Sequence, residues 1–437
     1  MIAAHGNGAN ADDVKPNVVF IIADDLGWAD VGFHGGNAPT PHLDRLAAGG
    51  VELAQHYVAP VCSPTRTGLM TGRYWSRFNV TNPQNERALP WDTVTLPRAL
   101  QAAGYDTCLT GKWHLGSKPE WGPNHFGFDH SYGSLAGGVT AWTHRYKVGP
   151  YSQTWHRNEE LLTEAGHVTD LITDEAVRWL ADRTDRPFFL YVPFTAVHLP
   201  VDEPEEWLAR VPAEIEGTVP RHYAACIMHL DDAVGRIVAA VEAAGWRDNT
   251  LLVFTSDNGG STAENNGPSY PMANAPAGNL PGNNAPLRGQ KGELYEGGIR
   301  APTIVNWPGK LAPDRCEAPL HITDWMPTLC TLAGYEPVKD LHWDGTDIWP
   351  VVTGRSNRDV HPLYWAAPGF RSRAVRDGDW KLILHGDGDA MAAELFDLAS
   401  DLYERKNLAA ERPDKVAALQ AALAALSATD GDSVAAD

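Results

Sequence analysis

One repeated order limits what this chain can fold into. A short run built around apolar residues is followed by a polar cluster, then by a helical stretch that leads to the next such run. "NVVFIIA" (17–23) reads as a strand buried on both faces. "TVTLPRALQAAG" reads as a helix ending at Gly104, and it leads to the strand "YDTCLT". "VTDLITDEAVRWLADR" is an amphipathic helix before the strand "PFFLYVPF". "YAACIMHLDDAVGRIVAAVEAAG" is another, before "TLLVFTS". Helices alternating with short buried strands predict an α/β domain with a central, mostly parallel sheet flanked by helices.

In such a sheet, ligands sit outside the carboxyl ends of the strands. The residues after each apolar run therefore matter most. They are Asp24-Asp25, then Gly111-Lys112-Trp113-His114, then His198 within "TAVHLP", and Asp257-Asn258-Gly259. Each is ordinary alone. Paired aspartates cap helices, Asp-Asn-Gly is a common turn, a lone histidine is usually structural and Lys112 fits a solvated loop. Their shared placement points to one site. Asp24, Asp25, Asp257 and Asn258 form a hard oxygen set, suited to Ca²⁺ or Mg²⁺ rather than Zn²⁺ or copper. Ca²⁺ is preferred, because clustered protein oxygens suit its larger shell, whereas Mg²⁺ tends to retain water.

A further segment, "VCSPTRTGLMTGRY" (61–74), puts a cysteine beside a helix start. Ser63 predicts the N-cap, Pro64 the first helical position and Gly72 the terminator. Cys62 then lies just outside the electropositive end of the helix, with Arg66 one turn in. The bland alternative is a capped helix with a small buried thiol.

At 437 residues the chain exceeds one typical core. A polar lead-in is expected over residues 1–15, a large α/β domain over 16–345, and a smaller α+β domain over 346–437. In the last, "SRAVRDGDWKLIL" predicts a hairpin turning at Asp377-Gly378, and "RPDKVAALQAALAALS" an amphipathic helix. Two long irregular regions are expected, Gly133 to Glu160 and Gly259 to Arg288. The formal net charge of −20 argues against a nucleic-acid surface, so an anionic substrate needs a locally positive site. Five cysteines make no disulfide framework, although a Cys316–Cys330 pair stays open. The first residues lack the apolar segment of a signal peptide, which leaves either a cytoplasmic protein or a trimmed export form. No run predicts a membrane span or a membrane partner.

Together these segments resemble the type I, formylglycine-dependent sulfatases. The family signature, C-x-P-x-R followed by L-x-T-G-R, stands here as Cys62-Ser63-Pro64-Thr65-Arg66 and Leu69-Met70-Thr71-Gly72-Arg73. Thr65 replaces the usual Ser but keeps a hydroxyl. "PNVVFIIADDLGW", "GKWHLG", "HLP", "SDNGG" and "GQKGELYEGGIRAP" follow in family order. The local wording is similar to arylsulfatase B, the N-acetylgalactosamine-4-sulfatase, and related glycan sulfatases. The resemblance implies an alkaline-phosphatase-like large domain that carries catalysis, plus a smaller C-terminal domain with an antiparallel sheet.

It also implies a chemistry. A maturation enzyme oxidises Cys62 to Cα-formylglycine, which hydrates to a diol. One hydroxyl, activated by a divalent cation and Asp257, attacks sulfur. His198 or Lys291 protonates the leaving alcohol. His114 deprotonates the second hydroxyl to expel sulfate, and Arg66 and Lys112 hold the diol. The cation would lie on Asp24, Asp25, Asp257, Asn258 and modified Cys62. Two alternatives are a phosphonate or phosphate ester hydrolase of the same superfamily and a non-catalytic sulfoglycan-binding protein. A sulfated carbohydrate is the expected substrate. The segment 133–160 is rich in rings and cations (Trp142, His144, Arg145, Tyr146, Tyr151, Trp155, His156, Arg157), and at least one of its aromatics is expected at the pocket mouth. The competing expectation is that Trp142 and Trp155 only anchor the loop.

Overall fold

The computed structural model describes residues 15–270, 274–356, 361–386 and 391–434. The lead-in expected over 1–15 falls almost wholly outside the described residues. The four apolar runs are strands: β1 (Asn17–Ala23), β3 (Asp106–Lys112), β7 (Phe188–Pro193) and β8 (Thr250–Ser256). With β2 (Val51–Tyr57), β4 (His130–Ser134), β5 (Trp155–Arg157), β6 (Glu160–Leu161), β9 (Ile304–Asn306) and β10 (Asp314–His321), they form a ten-stranded sheet. Its order is β10-β2-β9-β8-β1-β7-β3-β4-β5-β6. The pairings make every strand except β9 and β5 run in one direction, so the carboxyl ends of β2, β8, β1, β7 and β3 share one edge.

Strand β1 shows why its sequence is apolar throughout. Val18, Phe20 and Ile22 enter one core while Val19, Ile21 and Ala23 enter the core on the opposite face. The helices Val168–Ala181 and Thr218–Ala243 cover that second face. In the longer one, Tyr223, Ile227, Leu230, Val234, Ile237 and Val241 recur at spacings of three and four and are all buried.

A second, antiparallel sheet holds β11 (Leu363–Ala366), β12 (Ser372–Asp377), β13 (Trp380–His385) and β14 (Ala392–Asp397). The helix Pro413–Ser427 packs Leu419 and Leu423 on one face of it. Its other face sends Trp365, Ile383 and Phe396 into the first core of the large sheet. A buried charge network reinforces the join. Lys381 of β13 lies 2.9 Å from Glu296 and 2.8 Å from Glu404. The hydroxyl of Tyr57, on β2, donates to Glu296 at 2.7 Å, and the amide of Glu296 donates to Glu404 at 2.7 Å.

Three local expectations need correction. The segment 133–160 is not wholly irregular, because β4, β5 and β6 extend the large sheet along its edge. The C-terminal hairpin turns on Gly378-Asp379, one residue later than expected, with Gly378 at φ +60°. The helix in "VCSPTRTGLMTGRY" spans Cys62–Thr71 with Val61 at the N-cap, so Cys62 is its first residue and Ser63 is not the cap. The Ser63 hydroxyl instead donates to the His114 carbonyl and accepts from the Gln84 amide, both at 2.9 Å. Gly72 does end the helix, at φ +67°. Cys316 and Cys330 are not joined. No helix among the described residues is long and apolar enough to cross a membrane.

Candidate active site

Five strands deliver the site. Beyond β1 stand Asp24 and Asp25, beyond β8 Asp257 and Asn258, beyond β7 the turn carrying His198, at the end of β3 Lys112 and then His114. Beyond β2 the chain turns into the helix headed by Cys62. Lys112 is the last residue of β3 rather than a loop charge, and Gly111 before it is needed because a side chain there would meet the Pro193 carbonyl oxygen at 2.0 Å.

Cys62 is buried, and its sulfur lies 3.2 Å from His114 Nδ1. Burial pushes the thiol up despite the charges of Lys112 and Lys291, so residue 62 is no thiolate nucleophile here. Burial, with Lys112 and Arg66 nearby, holds His114 well below the usual imidazole range and therefore neutral. Its Nε2 has no hydrogen-bond partner. Arg66 is anchored rather than free. One nitrogen donates to the Lys112 carbonyl at 2.6 Å and another meets Asp257 Oδ2 at 2.8 Å. Thr65 explains why a hydroxyl suffices at that place in the signature. It donates to the Asp257 carbonyl at 2.6 Å and accepts from the Ala59 amide at 2.8 Å.

The carboxylates form one buried cluster. Lys112 Nζ is 2.6 Å from Asp24 Oδ2, and Lys291 Nζ is 2.7 Å from Asp25. The Asn258 amide donates to Asp25 Oδ1 at 2.8 Å, and the Asp25 amide donates to Asp257 Oδ1 at 3.2 Å. His198 Nε2 stands 3.7 Å from Asp25 Oδ2. Burial and the neighbouring Asp257 carboxylate push Asp24 up to about 7. Burial works the same way on Asp25, but Lys291 and His198 outweigh it and hold that group below the usual carboxylate range. Two oxygen donors in this cluster, Asp24 Oδ1 and Asn258 Oδ1, are buried with no partner. Orphaned buried acceptors are costly unless something binds them. Hard oxygen donors of this kind fit a divalent cation of the Ca²⁺ or Mg²⁺ class.

Outside the cluster a cleft of about 600 Å³ opens. Cys62, His114, His198 and Lys291 line it, and Gly138 is required on its wall, since a side chain there would meet His198 Nδ1 at 2.2 Å. Of the aromatics expected at the mouth, Tyr146 lines the cleft. Trp142 and Trp155 do not. Trp155 is 2 % exposed, stacks on His144 at 4.6 Å and donates to Glu164 at 2.7 Å. Trp142 packs edge-on against His167 beside a separate, smaller hollow. His156 is buried, Arg157 pairs with Glu175, and Tyr151 bonds Glu86 away from the cleft lining. Sequence reasoning missed Tyr270, Lys147 and Arg371, which also line the cleft. The ring at 146 hints at Lys147 beside it, whereas nothing local marks Arg371, which arrives from the turn between β11 and β12.

Comparison with known proteins agrees with this geometry. The family model described as Sulfatase matches residues 16–335, and one described as N-sulphoglucosamine sulphohydrolase, C-terminal, matches 290–428. Arylsulfatase J of Mus musculus is 33% identical over 91% of this chain and 73% of its own length. N-acetylgalactosamine-6-sulfatase of Canis lupus familiaris is 32% identical over 87% of this chain and 74% of its own. Among solved structures, Ps i-CgsB in complex with k-i-k-neocarrahexaose superposes with a TM-score of 0.84 at 30% identity, covering 97% of this chain and 95% of that one.

Proposed function

The chain belongs to the sulfatase family and is a sulfuric ester hydrolase, and from that premise we propose that it desulfates a carbohydrate with a nucleophile made from Cys62. One observation carries this reading. Cys62 heads a helix at the floor of the cleft, 3.2 Å from a neutral histidine and beside oxygen donors that lack partners. The C-x-P-x-R segment is what a maturation enzyme would read. Converted to Cα-formylglycine and hydrated, residue 62 supplies one hydroxyl to attack sulfur and a second to release sulfate. Asp24, Asp25, Asp257 and Asn258 would hold a divalent cation, Ca²⁺, which would supply positive charge where oxygen becomes negative.

The chain's own residues do the rest. His114 sits where it can take a proton from the atom that replaces the Cys62 sulfur. Arg66, fixed by Asp257 and the Lys112 carbonyl, keeps that carboxylate oriented. Lys112 and Lys291 hold positive charge against an incoming sulfate within a strongly acidic protein. His198 or Lys291, both beside Asp25 and both lining the cleft, delivers the proton to the departing alcohol.

The carbohydrate assignment is supported by Tyr146 and Tyr270 on the cleft wall, since sugar faces stack on rings. Replacing Tyr146 with Ala should lower desulfation of a sulfated oligosaccharide by about tenfold while a small aryl sulfate is turned over at near the original rate. Equal loss on both substrates would contradict the sugar-binding role. Absence of aryl sulfate turnover by matured, Ca²⁺-loaded protein would contradict the function itself.

A further inference from the structure

Among the described residues lining the cleft, Asp and Glu are absent. That is unexpected in a chain whose formal net charge is −20. The outer cleft instead presents two cations that the reaction does not use. Lys147 is exposed and sits over the Tyr146 and Tyr270 rings, 5.6 Å and 5.9 Å from their centroids. The two rings meet edge to face at 6.3 Å, which gives the ammonium a fixed platform. Arg371 lines the same cleft. Its guanidinium donates to the carbonyl of Gly292 at 2.5 Å, so its charge is held one residue from Lys291. Neither Lys147 nor Arg371 has a carboxylate partner among the ion pairs of the described residues. Partial burial of its ammonium end and the charge of Lys291 lower Lys147.

Placing like charges together without counter-ions costs stability. One anion, the reacting sulfate, is met by Lys112 and Lys291 at the floor. A second pair of cations above it asks for a second anion. We infer that Lys147 and Arg371 form an outer anion subsite, so that the preferred substrate carries a second negative group, a carboxylate or a further sulfate ester, within about one sugar ring of the sulfate that is removed. The inference rests on the sulfated-carbohydrate reading above. The geometry explains why the tyrosine platform and the cations occur together: the rings take the apolar face of the sugar and the cations take its charged substituent.

The test is a matched set of substrates: an aryl glycoside of a neutral hexosamine bearing one sulfate, the same glycoside with a second sulfate, and the same glycoside extended by a uronic acid. Matured, Ca²⁺-loaded enzyme should favour at least one of the two dianionic compounds by roughly tenfold or more in kcat/KM, the size of a charge-assisted contact. Whichever is favoured more identifies the source of the anion. Lys147→Gln and Arg371→Gln should each erase about threefold of that preference and leave the monosulfated compound within about twofold of its original rate. Lys147→Glu should reverse the preference. Raising salt should shrink it in the parent enzyme and not in the double variant. Both side chains are exposed, so unchanged melting midpoints are expected. A parent enzyme with no dianion preference, or variants that keep it, would overturn the subsite while leaving the sulfatase reading intact. Failure on every substrate, simple aryl sulfates included, would overturn both.

Discussion

Two buried charge networks in this molecule use the same kinds of residue and do opposite things. At the join between the sheets, Glu296 meets Lys381 through one carboxylate oxygen and Tyr57 through the other, and Glu404 meets Lys381 and the Glu296 amide. At the strand ends, Asp24, Asp25 and Asp257 meet Lys112, Lys291 and Arg66, yet Asp24 Oδ1 and Asn258 Oδ1 are left with nothing. In the first network every carboxylate oxygen faces a cation or a donor, Glu404 Oε1 through the Lys381 ion pair alone, and the network binds two parts of the fold together. The second is open, with two buried oxygens that no other group in the fold claims. Buried polar groups that are satisfied are architecture; buried polar groups left unsatisfied in an otherwise well-packed site mark the place of a guest.

Each network can be cut, and the effects should separate. Cys62→Ala removes the nucleophile that the open network serves. Sulfatase turnover should fall by on the order of 10⁴ or more while the melting midpoint hardly moves. Cys62→Ser keeps one oxygen and should accumulate a sulfated enzyme instead of cycling, visible in an intact-mass spectrum. Lys381→Met strands two buried glutamates at the join. It should cost about 3–5 kcal/mol in denaturant unfolding, with the activity of the molecules that stay folded preserved. Loss of activity without loss of stability there would erase the distinction between the networks.

Asp24→Asn gives the complementary result. Catalysis should drop by roughly 10²–10³ with weaker Ca²⁺ binding by calorimetry, as expected when one charged contact to the reacting centre is removed. The metal-free protein should be no less stable than the parent, because burial and Asp257 already push Asp24 up to about 7 and Asn keeps an oxygen for the Lys112 ammonium. A large destabilisation would mean that this cluster, too, is mainly structural. The smallest effect is expected at Trp142→Ala, which lies outside both networks and outside the cleft. Rates on aryl and glycan sulfates should both stay within about twofold, and a selective loss on the glycan would return that side chain to the substrate.

The open network was the legible part of this chain. Strands β1, β3, β7 and β8 are buried on both faces, so β1 and β7 read as near-continuous apolar runs and β3 and β8 mix apolar residues only with small hydroxyl residues before their ends, and a parallel sheet sends whatever follows them to one edge. Asp24, Lys112, His198 and Asp257 could thus be grouped before any coordinates. What lay beyond reach was decided by partners distant in sequence. Strands β5 and β6 are two or three residues long; β5 forms on the edge that β4 offers, and β6 on the edge of β5. The helix at Cys62 starts two residues early, while His114 and Gln84 claim the Ser63 hydroxyl that local rules assign to capping. Trp155 and Tyr146 are equally aromatic in sequence, but Glu164 and His144 draw the first inward while the second is left on the cleft. Arg371 reaches the mouth only because the small sheet docks where it does.

The claim on which the account depends most is that residue 62 does its chemistry as an aldehyde hydrate and not as a thiol. Mass spectrometry of the peptide containing Cys62, taken from a preparation that turns over an aryl sulfate and treated with an aldehyde-trapping hydrazide, tests it directly. The account predicts a peptide that has lost its sulfur, carries an aldehyde oxygen at position 62 and forms the hydrazone, in proportion to the activity of the preparation. A fully active preparation in which that peptide carries only the unmodified thiol would contradict it.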